Sequence, residues 1–449
     1  MPSSPAAPAN EIYRTPGARK RAVGAWCLYD FASSSYTTLI ITVAFAVYFR
    51  EAIVNAPDNT GDQYWGLANF FAMLIVALVS PVIGAIADES GSKKLFLILT
   101  TLQTVAATAL LAWVSPGQIV WAMALYVVAT VGFESGYVFY NSFLFELSTP
   151  ATIGRISGWA WGVGFIGGLT ALLLCAPLIS SELKDPAGML VDSAVRDRKA
   201  SFLVVAAFFL VFALPAFVWL QGGARRASDR PWSGHVITGF RRVGRTLGHL
   251  RQHREVAKYI LASLFFNDGI TTVSIFAANF ATVTFGLSSR ELTLLFIVLN
   301  VVAIPGAVLA GYLADAIGAK RTLILTLVGW MGVVLIGYLA ASRPAFWVMA
   351  CAAAIGMGST QAVARSFMAE ISPAEREAEF FGFYVLSGKF AAIFGPLIFG
   401  LISAWTGSQR LAVLSLLPLF VAGLVLMASV DPQRARGASR AGSDHGLSH

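Results

Sequence analysis

Charge is scarce in this sequence. Asp, Glu, Lys and Arg make up only 12% of its 449 residues, about half the share found in an ordinary soluble domain. With 57% of the residues hydrophobic, the chain has too little polar surface to cover itself in water, and a soluble class is excluded. Histidine is nearly missing: His235, His249 and His253 share one polar stretch, and His445 and His449 lie in the tail. No histidine-based metal site can therefore sit in an apolar run. Cys27, Cys175 and Cys351 stand singly in apolar runs, where they read as small buried hydrophobes rather than a disulfide framework. The sequence has no G-x-x-x-x-G-K-[ST] loop and no H-E-x-x-H, so direct ATP use and zinc hydrolysis lack their signatures. An enzyme is not expected, nor a cofactor or metal.

What the chain does have is apolar runs of about 20 residues, the length that crosses a bilayer. They predict an all-α polytopic membrane protein with twelve transmembrane helices. Six spans fall near 23–49, 64–87, 95–114, 118–145, 155–181 and 199–220, and six near 257–285, 290–314, 322–341, 344–368, 378–404 and 409–429. The expected organisation is a tail (1–22), a six-helix bundle (23–220), an arginine-rich linker (221–256), a second six-helix bundle (257–430) and a tail (431–449). Residues 1–22 are polar, and the first apolar run is too long for a signal-peptide core, so it is expected to act as an uncleaved anchor.

Basic residues set the orientation. Arg19, Lys20 and Arg21, then Lys93 and Lys94, the linker, Lys320 and Arg321, and Arg434, Arg436 and Arg440 all fall on one side of a twelve-span chain. That predicts a multi-pass cell-membrane protein with both termini cytoplasmic. The loop 182–199 departs from the rule, with Arg196, Arg198 and Lys199 on the opposite side. Because the basic residues flank spans, the net charge of +8 reads as a topology signal and no nucleic acid is expected. The expected partners are the lipid bilayer, a small-molecule substrate and H+, with the chain a monomer.

The two halves repeat each other. "GAIADESGSKK" (84–94) and "GYLADAIGAKR" (311–321) both fit G-x-x-x-D-x-x-G-x-basic-basic. "SFLFELSTP" (142–150) matches "SFMAEISP" (366–373), and Asp30 has a counterpart in Asp268. Three matches in one order, each pair about half the chain apart, indicate two bundles of common origin, an architecture frequent in secondary transporters. The doubled motif resembles the signature loop of the major facilitator superfamily. "WCLYDFASSSY", "FFNDGITTV" and "EREAEFFGFYVLSGKFAAIFGPLIFG" (375–400) further resemble the bacterial "unknown major facilitator" family, related to the fungal autophagy-linked vacuolar amino-acid effluxers. The resemblance implies two pseudo-symmetric bundles in the major facilitator fold and transport by alternating access. It also implies that the motif loops latch the bundles together in the outward-facing state. The gate residues would be Gly84, Asp88, Gly91, Lys93, Lys94, Gly311, Asp315, Gly318, Lys320 and Arg321, with Glu146–Arg155 and Glu370–Arg376 as pairs in the same belt. A plain solvated loop with topogenic lysines is the competing reading.

Four ionisable residues lie deep in spans. Asp30 is nine residues past Arg21, roughly 13 Å into the first span at ~1.5 Å per residue. Asp268 matches it in the seventh, and Glu134 and Lys389 lie deeper in the fourth and eleventh. Each costs at least ~2.5–3.5 kcal/mol in the hydrocarbon, so they are expected to face a hydrated chamber between the bundles or to pair. Asp30 and Asp268 read either as caps of broken helices or as coupling acids. Glu134 and Lys389 read either as a structural ion pair or as substrate-binding residues. Tyr29, Tyr140, Asn141, Asn267, Asn300, Gln361 and Tyr384 could add neutral hydrogen bonds, while Arg365 either snorkels to headgroups or pairs with a gate acid. A secondary transporter of a small polar solute, an amino acid or other carboxylate, coupled to protons, is the function these features favour. Sugar or muropeptide-like solutes, or a non-transporting receptor or scaffold, are the alternatives.

Overall fold

The computed structural model describes residues 13, 15–55, 60–222, 253–373, 376–390 and 394–435. Most of the expected linker and much of both tails lie outside them. Among the described residues, eleven helices are long and apolar enough to cross a membrane. In the first half these are Pro16–Val54 (span 1), Thr60–Ser90 (span 2), Lys93–Trp113 (span 3), Ile119–Leu147 (span 4), Ile153–Ile179 (span 5) and Asp192–Trp219 (span 6). The second half has Arg254–Phe285 (span 7), Ser289–Ile317 (span 8), Ala319–Leu339 (span 9), Arg343–Ile371 (span 10) and Gln409–Ser429 (span 12). The eleventh expected span, 378–404, is helical over Glu377–Phe390 and Phe394–Thr406, with residues 391–393 outside the described residues; we call this stretch span 11. Odd-numbered spans all start at one end of the molecule, the end that carries Arg19, Lys93, Lys258 and Lys320; we call it the basic end. Large apolar side chains such as Leu78, Trp113, Leu173, Leu309, Leu339 and Trp405 are exposed on the outer surface, where a multi-pass protein meets acyl chains.

Local chemistry explains the long first span. Thr15 caps it by accepting the Ala18 N–H, and Pro16 stands at the first helical position, where its missing N–H is no loss. Past Ser35 the helix widens into π-turns over Tyr36–Val43. This is a run of β-branched residues, "TTLIITV", whose crowding against the preceding turn disfavours α-geometry. Hydroxyls just before it and at its start bond back to the helix: Ser34 Oγ donates to the Asp30 carbonyl (2.8 Å) and Thr37 Oγ1 to the Ser34 carbonyl (3.0 Å).

Span 5 joins the halves through small residues on two faces. On one face a Cβ at Gly167 would sit 2.2 Å from the Phe31 carbonyl oxygen of span 1. On the other, a Cβ at Gly158 would sit 2.5 Å from the Ala307 carbonyl of span 8, and one at Gly154 would sit 2.4 Å from that of Gly311. Spans 2 and 11 meet in the same way, with Gly84 against Ala378 and Gly382 against Ser80 and Pro81. Backbones this close leave no room for a methyl group, which is the packing logic of small-residue helix contacts in membranes. The anomalous basic residue of the 182–199 loop also has a structural role. Arg198 Nη2 donates to the carbonyls of Ile179 (2.9 Å) and Ser181 (3.4 Å), satisfying the C-terminal end of span 5.

Candidate functional site

At the basic end, each copy of the repeated motif grips the opposite half. Asp315, at the end of span 8, accepts the Gly154 N–H (2.7 Å) and the Arg155 N–H (3.1 Å) at the start of span 5. Asp88, at the end of span 2, accepts the Glu379 N–H (3.0 Å) in the first turn of span 11. A carboxylate over free N–H groups at a helix start is favoured by the hydrogen bonds and by the helix dipole. Gly91 and Gly318 turn the chain out of the motif helices with φ of +67° and +92°, the region that favours glycine.

The copies then diverge. Lys93 is buried against three carboxylates, at 3.5 Å from Asp88, 3.5 Å from Glu146, and in a direct hydrogen bond with Glu377. Its counterpart Lys320 instead donates to the carbonyls of Ala428 (2.7 Å) and Val430 (2.6 Å), closing the end of span 12. Lys94 is half-buried and Arg321 exposed. The expected Glu146–Arg155 pair does not form: Glu146 faces Lys93, and the Arg155 Nε lies 3.7 Å from Asp315. The motif acids reach across to the other half, so residues adjacent in one belt end up with partners from two. Glu370 is half-buried in the last turn of span 10, and the Arg376 backbone shapes the turn into span 11 through Pro373 (2.9 Å) and Phe380 (3.0 Å). Just before span 7, His253 lies edge-on to Phe380 at 5.1 Å. Burial first, and then the Arg376 charge, push its imidazole down to about 4.

Deeper between the halves lies an ion pair that joins them. Arg365 of span 10 is 2% exposed and Asp30 of span 1 is 3% exposed, so neither meets solvent in this state. Arg365 Nη1 donates to Asp30 Oδ2 (3.0 Å), Nε to Ser157 Oγ (3.0 Å) and Nη2 to the Ser157 carbonyl (2.8 Å). The guanidinium carbon lies 4.8 Å from the Trp26 ring, 5.6 Å from Tyr140 and 5.5 Å from Trp161, within cation–π range. Tyr137 Oη donates to the other Asp30 oxygen (3.3 Å). Two open alternatives are resolved here. Asp30 pairs instead of looking into an open chamber, and Arg365 pairs with an acid instead of snorkelling to headgroups. A guanidinium with this many donors is better satisfied by a carboxylate, a carbonyl and aromatic faces in the interface than by reaching along its helix.

Asp268 plays a different part. It is fully buried in span 7, and its Oδ2 accepts the Gly395 N–H (2.8 Å) of span 11. It therefore ties span 7 to span 11, while its Oδ1 has no hydrogen-bond partner among the described residues. The remaining candidates scatter. Glu134, Asn141 and Tyr140 are buried in span 4, with Tyr137 half-buried beside them, whereas the side chain of Lys389 lies outside the described residues. Gln361 Nε2 donates to Asn267 Oδ1 (3.3 Å) between spans 10 and 7, and Tyr384 stacks on Tyr259 at 6.1 Å. Tyr29 is not a chamber residue; it shares a 2.7 Å hydrogen bond with Thr101 inside its own bundle. Asn300 bonds back to the Phe296 carbonyl (2.9 Å). Sequence reasoning underweights Arg365, Trp26, Trp161, Ser157 and Glu377, because no local pattern marks residues that meet only across the interface. The one available signal was a cation far enough inside span 10 to need a partner.

Comparison with known proteins agrees with this architecture. The family model "Vacuole effluxer Atg22 like" matches residues 67–440. An uncharacterised MFS-type transporter of Bacillus subtilis, YxiO, is 30% identical over 93% of this chain and 97% of its own length. Autophagy-related protein 22-1 of Penicillium rubens is 28% identical over 63% of this chain, which spans only 50% of that fungal protein. Among solved structures, the fucose transporter FucP in its outward conformation superposes with a TM-score of 0.73 at 14% identity, over 94% of this chain and 99% of that one. The proton:xylose symporter XylE gives 0.71, also at 14% identity, over 92% and 96%. At that identity the structural likeness shows the fold alone. The chain is a multi-pass membrane protein of the major facilitator superfamily and belongs to the Atg22-like effluxer family.

Proposed function

We propose that this protein is a secondary active transporter of the cell membrane, with both termini cytoplasmic, which moves an amino acid or another small carboxylate by proton-coupled alternating access. The observation that carries the reading is the pair of related latches at the basic end. Two motif acids cap helices of the opposite half, and the Asp30–Arg365 pair joins the halves further in. Interactions of this kind can be broken and remade as rigid halves rock, whereas a static scaffold has no use for buried ions across its interface. The placement of Arg19, Lys93 and Lys320 supports a cytoplasmic basic end, and in this reading the latched state is open on the other side. Asp268 is the coupling acid in this reading: its Oδ1, without a partner among the described residues, is the position where a proton would cancel a buried charge without disturbing the Gly395 contact. Lipid and the solute are its partners, and it works as a monomer.

The test is uptake of labelled amino acids and carboxylates into proteoliposomes under an imposed pH gradient. Gradient-driven accumulation that Asp268→Asn abolishes, while solute exchange at equal pH survives, is the expected result. Accumulation that ignores the gradient in the wild type would remove the proton from the mechanism. Absence of flux for every solute would remove transport.

A further inference from the structure

The surroundings of Arg365 form a receptor for an organic cation, and they belong almost entirely to the other half of the protein. Asp30 and Trp26 come from span 1, Tyr140 from span 4, and Ser157 and Trp161 from span 5. These groups hold one another without Arg365. Trp26 Nε1 donates to the Tyr140 carbonyl (2.8 Å), the two rings stack at 4.6 Å, and Tyr137 holds the Asp30 carboxylate. A carboxylate, a carbonyl and three aromatic faces around one cation make the chemistry that recognises guanidinium and substituted ammonium groups. Separation of the halves at the basic end withdraws Arg365 and leaves this receptor preformed and empty. Withdrawal also strands the guanidinium, so a purely cationic ligand would satisfy Asp30 and leave Arg365 unpaired. One more group waits for an anion: the Trp161 indole N–H is buried without an acceptor among the described residues, beside Arg365.

We propose that the transported solute is a zwitterion whose cationic group takes the place of the Arg365 guanidinium on Asp30 and the aromatic rings, while its carboxylate pairs with the displaced Arg365. This rests on the transport reading above and narrows it: of the amino acids and carboxylates considered there, simple carboxylates are excluded. The exchange conserves charge, because one internal ion pair is replaced by two to the ligand. The internal arginine is a stand-in for the solute that keeps the receptor filled when the halves are latched.

Full-length protein in nanodiscs is titrated with L-arginine, with butylguanidinium, which carries only a cation, and with hexanoate, which carries only a carboxylate; binding is read by thermal shift. L-arginine is expected to bind saturably, and each single-charge ligand at least about tenfold more weakly, the factor equivalent to one modest interaction. Trp161→Leu, which removes one ring and leaves every charge, should weaken L-arginine roughly two- to thirtyfold. In Arg365→Ala, millimolar methylguanidinium should restore thermal stability beyond an equal concentration of NaCl, and should fail to do so once Asp30→Asn is added. Hexanoate binding as tightly as L-arginine, or L-arginine binding unchanged in Trp161→Leu, would overturn the zwitterion. Either result would leave the transport reading standing, since proteoliposome flux tests that separately.

Discussion

Replacing Asp30 by Asn isolates what the buried ion pair does. In the latched state, the substitution leaves the Arg365 guanidinium at 2% exposure with a carbonyl and a hydroxyl from Ser157 but no counter-charge. Removing one partner of a buried pair costs about 3–5 kcal/mol. The cost applies only while the halves are together, because a hydrated arginine in the opened state does not need Asp30. The closed-to-open ratio should therefore fall by roughly two to three and a half powers of ten, at about 1.4 kcal/mol per factor of ten. Hydrogen exchange reads this directly: the Gly154, Arg155 and Glu379 amides are protected by Asp315 and Asp88 and become free when the basic end opens. Asp30→Asn should speed exchange at all three, although Asp30 touches none of them. Adding Arg365→Gln removes the stranded charge and should recover most of the protection. Unchanged exchange in the single variant, or no recovery in the double, would refute the view that this pair biases the two states.

Gly84→Val and Gly158→Val should each break the interface sterically, since even a Cβ would lie 2.4 Å from the Ala378 oxygen and 2.5 Å from the Ala307 oxygen; faster exchange at the start of spans 11 and 5, with loss of flux, checks this. Lys93→Met strips the common cation from Asp88, Glu146 and Glu377, so their repulsion should make the variant progressively less stable as pH rises, measured as a thermal midpoint falling with pH while the wild type changes less. The imidazole of His253 is held at about 4, below the ~6.5 of an unfolded chain. The unfolded state thus binds more protons in that window, and stability should drop as pH falls from about 6.5 to 4; His253→Gln should flatten that part of the curve. Asp268→Ala leaves the buried Gly395 N–H without its Asp268 acceptor, a loss of about 1–3 kcal/mol seen as faster exchange at the Gly395 amide, whereas Asp268→Asn keeps an acceptor and should not.

Much of this molecule was legible before any coordinates. The apolar runs gave the spans, because a bilayer demands backbone bonding within each segment. The doubled motif gave the two halves, and its resemblance to a known signature loop gave the place where they grip. The partners of its acids, Asp88 and Asp315, could not be read. Sequence adjacency suggested Glu146 with Arg155, yet each found a residue from elsewhere, because a pairing between helices far apart in the chain leaves no periodic trace. Asp30 shows the same division. Its cost in hydrocarbon, computed from position alone, required a polar answer. Whether that answer was water or a guanidinium from residue 365 depended on how spans 1, 5 and 10 approach one another. The sequence by itself determined the solvent, the number of halves and which residues were too costly to face lipid, because those follow from transfer energies and repeat length. Only the tertiary structure decided which costly residue met which, because that is fixed by the glycine contacts that set the distance between two bundles.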